Sequence, residues 1–190
     1  MDRKRKSENS ELKQRKKRAS SPPPPEESAL EITISNAVIK GYHIYQRRPL
    51  IGLRLNVVSE HDNQHDKNAM AVFMPALGQI PVDQHDLVTD VKRRLTVRQI
   101  AGTSVGHLPA SLASILSRMV SDGEVTAMTC VATGPPRRSF WPWPEAGQKG
   151  GGPLIPCQVH VQVKDKGKAM ATLGAAFSDL GPEKTVLTLL

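Results

Sequence analysis

The stretch Glu60–Val72, which reads EHDNQHDKNAMAV, passes from charged and amide side chains to apolar ones. Its first part, Glu60 to Asn68, is too polar for the interior of a strand, so it predicts a surface loop, the kind of segment on which binding residues tend to lie. Ala69–Phe73 is apolar and predicts a strand. The junction between this loop and this strand is the first candidate functional region.

Segments with alternating or β-branched apolar residues on both sides of the junction predict a mainly β fold. They are Leu30–Ile34, Ala37–Tyr45 with a bend at Gly41, Leu53–Val57, Gly102–His107, Val125–Thr133 and Ile155–Val163. The number of such segments, about six strands with one or two short helices, predicts a small barrel with minor α content.

Two short helices are predicted from i, i+4 spacing. One runs over residues 87–95, where Leu87, Val91 and Leu95 are separated by charged residues. The other follows Pro109, carries the stripe Leu112, Ile115, Leu116 and Met119, and ends at Asp122-Gly123.

Three parts of the chain differ in composition. Residues 1–28 have almost no apolar side chain to bury and predict a disordered tail, residues 29–164 predict the folded domain, and residues 165–190 predict a mostly irregular C-terminal tail with at most a short helix. The N-terminal tail carries two basic clusters that resemble a bipartite nuclear localisation signal and so predict nuclear entry through an import receptor. They consist of Arg3, Lys4, Arg5, Lys6, Lys13, Arg15, Lys16, Lys17 and Arg18.

The chain of 190 residues has a formal net charge of +8, which permits a nucleic-acid partner without requiring one. The two cysteines, Cys130 and Cys157, are too few for a zinc ribbon or a disulfide framework, and they predict reduced thiols in an intracellular protein. No apolar run is long enough for a membrane span.

Catalytic motifs are missing from the sequence. There is no GxSxG, no glycine-rich loop followed by Lys-Ser/Thr, and no HExxH. The pairs His61-Asp62 and His65-Asp66 offer imidazole and carboxylate groups, but they lie in a loop with no helix to hold them on one face. We predict no catalytic activity, no cofactor and no metal.

Three segments together resemble the HIRAN domain over about residues 37–163. Asn63, Asp66, Asn68, Ala69 and Val72 fit its loop-to-strand motif. Residues 105–109, VGHLP, followed by an amphipathic helix and a glycine, fit a second segment, and residues 41–45 lie before the second strand as in the family. The resemblance implies a modified oligonucleotide-binding barrel that holds the 3′ end of single-stranded DNA.

Roles for particular residues follow from this resemblance. Tyr45 is the candidate stacking face for a terminal nucleotide, Asp66 the candidate acceptor for its terminal hydroxyl, and Asn63 and His107 match polar contact positions. His43, His65 and Lys67 complete the predicted contact set. A turn stabilised by Asn63 and Asp66 alone is the structural alternative for this loop.

The sequence departs from the family pattern at five positions. His43 stands where arginine is common, Ile44 replaces an aromatic residue, Gln64-His65 replaces Pro-Tyr, and Ala110 stands where a basic residue is expected. Since each stacked base contributes about 1–3 kcal/mol, the loss of two rings predicts weaker DNA binding.

The loop before the last predicted strand holds both tryptophans, in the run Arg137–Pro144. Arg137, Arg138 and Trp143 are predicted to form a second contact surface for DNA or for a nuclear protein, while Phe140 is predicted to plug the barrel. Two alternatives to a DNA-binding module stay open. One is a protein-interaction adaptor that uses this loop, and the other is a remnant of a larger DNA-processing protein.

Overall fold

The computed structural model describes residues 30–190. The predicted tail 1–28, with both basic clusters, lies outside the described residues, so nuclear entry stays a prediction. Within residues 30–190, no helix combines the length and the apolar composition that a membrane crossing would need.

The described residues form nine strands and four helices. The strands are β1 Leu30–Ile39, β2 Arg54–Ser59, β3 Met70–Phe73, β4 Val88–Asp90, β5 Leu95–Thr96, β6 Ser104–His107, β7 Val125–Ala132, β8 Ile155–Val163 and β9 Thr188–Leu189. The helices are α1 Tyr42–Tyr45, α2 Val97–Ile100, α3 Ala110–Ser121 and α4 Lys166–Ser178. Short 3₁₀ turns lie at Leu77–Gln79, Val82–Gln84 and Pro182–Thr185.

Seven of these strands form one antiparallel sheet in the order β6-β3-β2-β7-β8-β1-β9, and β4 pairs with β5 in a separate hairpin. The sheet does not close into a barrel. A single bridge between Lys40 and His107 joins β6 to the residue that follows β1. The predicted fold class, mainly β with short helices, is confirmed, with one more strand in the main sheet than the six expected.

The core lies between the inner face of the sheet and two helices. Along β8 every second residue is buried, as the alternation in the sequence predicts. The apolar stripe of α3 faces the same core, and the helix ends at Asp122 and Gly123 as expected. Ala169, Leu173 and Phe177 bring one face of α4 onto this core as well.

The predicted strand over Ala37–Tyr45 is wrong beyond Lys40. Gly41 has a positive φ of 90°, and α1 follows it directly as a single helical turn. Contacts from outside the turn favour this conformation, because the Tyr42 hydroxyl lies 3.5 Å from the Asp90 carboxylate and 2.9 Å from Arg48 Nε.

The predicted helix over residues 87–95 is also wrong. This segment forms the β4–β5 hairpin, and the residues taken for a buried stripe include Val91, which is 81% exposed. The buried residue here is Asp90, which is polar, so the apolar spacing was a misleading guide.

The prediction that residues 165–190 are mostly irregular is wrong, because they contain α4 and β9. The Asp165 carboxylate caps α4 by accepting from the Lys168 N–H at 2.9 Å. The apolar residues of α4 recur every fourth position at Ala169, Leu173 and Phe177, which buries one face of the helix.

Candidate functional site

The three segments singled out in the sequence meet at one edge of the sheet. The Lys40 and His107 backbones exchange two hydrogen bonds of 2.8 and 3.0 Å, which hold the end of β1 against β6. A Cβ at Gly106 would collide with the carbonyl oxygen of Lys40, so this approach requires glycine. The Tyr45 ring lies over Gly41, whose added Cβ would be 3.3 Å from it.

A chain of side-chain hydrogen bonds connects the three segments. The Tyr45 hydroxyl lies 3.4 Å from His107 Nδ1, and His107 Nε2 lies 3.0 Å from Glu60 Oε2. Since the Glu60 carboxylate can only accept, Nε2 carries the hydrogen, and Nδ1 of a neutral imidazole then accepts from the tyrosine hydroxyl. The two rings are 5.8 Å apart at an interplanar angle of 48°, so the Tyr45 ring is held in one orientation.

Glu60 is a charged group at the centre of this chain. Partial burial raises the pKa of its carboxyl, but hydrogen bonds from Asn63 and His107 and the electrostatic attraction of His107 outweigh that effect and place the pKa below its ordinary value. Glu60 is therefore ionised at neutral pH. It gives the site a fixed negative charge beside the tyrosine and histidine rings.

The loop that follows Glu60 is built around Asn63. Its Nδ2 donates to Glu60 Oε2 at 2.9 Å, while its Oδ1 accepts from the backbone N–H groups of His65 and Asp66 at 3.0 and 3.2 Å. Asp66 in turn accepts from the Asn68 N–H through Oδ1 at 2.9 Å. Both residues thus hold the turn, as the structural alternative predicts, and the half-buried Asp66 carboxyl stays partly open to solvent.

The side chains of the remaining predicted contact residues do not take part in this chain of hydrogen bonds. His43, His65 and Lys67 are exposed. His43 lies beneath the glycine-rich tip of the loop 134–153, since a Cβ at Gly152 would be 2.7 Å from its Nδ1.

The Arg137–Trp143 loop lies apart from this network and differs from the prediction. Trp143 is only 3% exposed and packs with Val38 and Leu154 in a small second core, so its predicted role as an accessible contact residue is wrong. An indole of this size gains more from burial than from exposure, and the loop folds back over β1 to cover it.

Phe140 and the two arginines of this loop keep some exposure. Arg137 and Arg138 are exposed, and the Arg137 guanidinium lies 4.3 Å from the centroid of the half-buried Phe140 ring. Arg137 and Phe140 border a cleft of about 550 Å³ that also reaches Val186. The exposed indole of the loop is Trp141, at 65%.

The sequence-based prediction missed two residues of the site, Glu60 and Lys40. Glu60 links His107 to Asn63 in the chain of hydrogen bonds. The sequence pattern that could have identified it is an acidic residue at the end of a strand, three positions before a turn asparagine. Lys40 is half-buried, which lowers the pKa of its ammonium group, with Glu183 partly offsetting this. Among residues 30–190, no group of three or more potential ligand side chains is placed to hold a metal ion.

No protein-family model matches the chain, and no curated protein matches it. The fold is similar to the crystal structure of the HIRAN domain of human HLTF, with 16% sequence identity and a TM-score of 0.46. The similarity covers 80% of this chain and 97% of that chain. This is a similarity of structure alone, at low sequence identity.

Proposed function

We propose that this protein is a non-catalytic binding module that holds the 3′ end of a single DNA strand at the site formed by Tyr45, His107, Glu60, Asn63 and Asp66. The observation that carries the proposal is the hydrogen-bonded chain from Tyr45 through His107 and Glu60 to Asn63. It joins an aromatic face to acceptor groups across three segments that are distant in sequence. A strand end offers a base that can stack on the aromatic face and a terminal hydroxyl that can donate to the acceptor groups.

The tyrosine ring supplies the contact to a base. A base that stacks on an aromatic side chain gains about 1–3 kcal/mol whatever its identity. Because His107 holds the Tyr45 hydroxyl, the ring loses little freedom when a base stacks on it. This favours binding without sequence preference.

The carboxylates supply the preference for an end. Glu60 and Asp66 are both linked to Asn63, and a terminal hydroxyl can donate to either carboxylate. A terminal phosphate carries negative charge and would be repelled by the same groups. The site should therefore prefer a free 3′ hydroxyl to a 3′ phosphate.

Fluorescence anisotropy of the full chain with short single strands that end in a 3′ hydroxyl or a 3′ phosphate tests this proposal. Asp66→Asn keeps an acceptor for the Asn68 N–H while removing the charge, so the preference for the hydroxyl should disappear. Tyr45→Ala should weaken binding of both strands together, by about five- to 150-fold for one lost stacking contact. Asp62→Ala removes the same charge from an exposed position in the same loop and serves as the control.

Two results would contradict the proposal. If Asp62→Ala abolished the preference as fully as Asp66→Asn, the general charge of the loop rather than the Asp66 carboxylate would explain it. If neither Asp66→Asn nor Tyr45→Ala changed binding while both variants stayed folded, the strand would bind elsewhere.

A further inference from the structure

The long connection between β3 and β6 is itself structured. These strands are antiparallel neighbours, which are usually joined by about two to five residues, yet here the connection runs over residues 74–103. It holds two 3₁₀ turns, the β4–β5 hairpin and α2. Ile80, Val97 and Ile100 anchor it in the main core, and His85 Nε2 lies 2.9 Å from the Ile80 carbonyl oxygen.

A buried carboxylate fixes the hairpin beside α1. The Asp90 side chain is fully buried and lies 2.9 Å from Arg93 Nη1 and 3.5 Å from Arg48 Nε. Burial raises the pKa of Asp90, but the hydrogen bonds and charges of Arg93 and Arg48 outweigh it and place the pKa below the ordinary value. Arg93 also donates twice to Gln46 Oε1, at 3.1 and 2.8 Å, directly after Tyr45 in the chain.

Cationic side chains gather where the hairpin meets α1. Lys92 and Arg94 are exposed on the turn between β4 and β5, and Arg93 lies between them. Arg47 and Arg48, which follow α1 in the chain, lie on the other side of this contact. The Arg47 Nη1 donates to the Ser104 carbonyl at 2.9 Å. We call these five residues, Arg47, Arg48, Lys92, Arg93 and Arg94, the basic hairpin surface.

The basic hairpin surface holds five of the 17 lysines and arginines of residues 29–190. With the Asp90 carboxylate it carries four net positive charges, the same as the formal net charge of residues 29–190. The other acidic residues of the segment, Asp83 and Asp86, precede β4, and Asp86 is paired with Arg98 at 3.1 Å. Lys92 and Arg94 thus place two positive charges at the solvent-exposed surface close to α1.

We propose that the basic hairpin surface binds the phosphodiester backbone of the strand whose end occupies the Tyr45 site. This inference rests on the proposed function and adds a second contact region to it. Phosphates bound by Lys and Arg release their counterions, which supplies affinity that falls as salt concentration rises. The Arg93–Gln46 contact places the cationic turn next to α1, so a strand that stacks on Tyr45 can continue onto it.

The experiment compares short and long strands by fluorescence anisotropy on the full chain at several salt concentrations. A strand of about 4 nucleotides fills the end site alone, while one of about 16 nucleotides can also reach the basic hairpin surface. These lengths span the range of site sizes of oligonucleotide-binding folds. The variant is Lys92→Gln with Arg94→Asn, where asparagine suits the left-handed backbone of Arg94, whose φ is 54°. Arg118→Gln with Lys166→Gln, two exposed cations on α3 and α4, is the control of equal charge.

The hairpin variant should bind the long strand on the order of tenfold more weakly at physiological salt, and its salt slope should fall by about 1.4 for two lost phosphate contacts. Binding of the short strand and the preference for a 3′ hydroxyl should not change. A variant that binds the long strand with the affinity and slope of the control overturns the proposal. The exposed Val88 and Val91 would then favour a protein partner for this surface.

The two proposals fail separately. If neither Asp66→Asn nor Tyr45→Ala changes binding but the hairpin variant loses affinity for the long strand, the end site is refuted and the basic hairpin surface stands as a backbone-binding region. If the hairpin variant loses short-strand binding equally, the surface is part of the end site and the separate second region is refuted.

Discussion

Two loops carry candidate binding residues in the sequence, residues 60–68 and residues 134–153, and the structure uses them in opposite ways. The polar loop fixes its own turn through Asn63 and leaves side chains at the surface. The aromatic loop folds back and buries Trp143 beside Val38. The comparison teaches that a large aromatic side chain in a loop is a poor guide to recognition, because burying it stabilises the fold. The polar loop has no large apolar side chain to bury, and its side chains stay at the surface.

The largest expected effect belongs to the aromatic loop. Trp143→Ala should lower the free energy of unfolding by about 3–5 kcal/mol, because a buried indole is lost and a cavity remains beside Val38 and Leu154. In a chain of this size that corresponds to a drop in Tm on the order of 10 °C, measured by thermal denaturation.

Trp141→Ala is the matched control, since this indole is 65% exposed in the same loop, and it should change stability by less than about 0.5 kcal/mol. Acrylamide quenching should likewise reach Trp141 and spare Trp143. Equal losses of stability for the two variants would mean that burial of Trp143 does not stabilise the fold, and the contrast between the aromatic loop and the polar loop would no longer hold.

An intermediate effect is expected at Asn63. Asn63→Ala removes the acceptor for two backbone N–H groups and the donor to Glu60, which should cost about 1–2 kcal/mol in urea denaturation. The free energy of strand binding should fall by more than the free energy of unfolding, because Glu60 and Asp66 lose their common partner. Asn68→Ala changes the same residue type at an exposed position of the loop and should do little. Two variants with equal effects would mean that the turn does not depend on Asn63.

The fold was predictable where a segment's own pattern decided its structure, and unpredictable where distant contacts did. The alternation in β8 and the stripe on α3 gave the sheet and one helix correctly. Tyr42 and Tyr45 look like strand residues, but the turn they form is held by Asp90 and His107, which lie far along the chain. No local periodicity contains that information.

The candidate site follows the same rule. Asn63, Asp66, Tyr45 and His107 were identifiable as residue types within motifs, although their connection through Glu60 was not. The segment 74–103 was the least predictable part, since its central buried residue, Asp90, is an acid whose burial is offset by partners that lie mostly in a distant part of the chain, two arginines and the Tyr42 hydroxyl.

The smallest expected effect concerns pH and Glu60. The pKa of Glu60 in the folded protein lies below its ordinary value of 4.5, so its contribution to stability is complete above that value and is lost as the pH falls through the folded-state pKa. Because the group is partly exposed, we expect at most about 0.5 kcal/mol. The stability difference between the wild type and Glu60→Gln, measured in urea from about pH 6 down to about pH 3, should therefore shrink below pH 4.5. A difference that grows towards acid pH would show that Glu60 is not stabilised as a carboxylate.

The sheet order has a consequence for how the chain is made. Strand β1 emerges first from the ribosome, yet Leu30 pairs with Val163 and Ser35 with Thr188. At about 5–20 residues per second, synthesis leaves β1 without its neighbours for roughly ten seconds. During that time Ile32 and Ile34, which end fully buried, are exposed on a strand with both edges open. Until β8 and β9 have been made, the new chain therefore carries an unpaired apolar strand, the kind of edge on which other chains can pair.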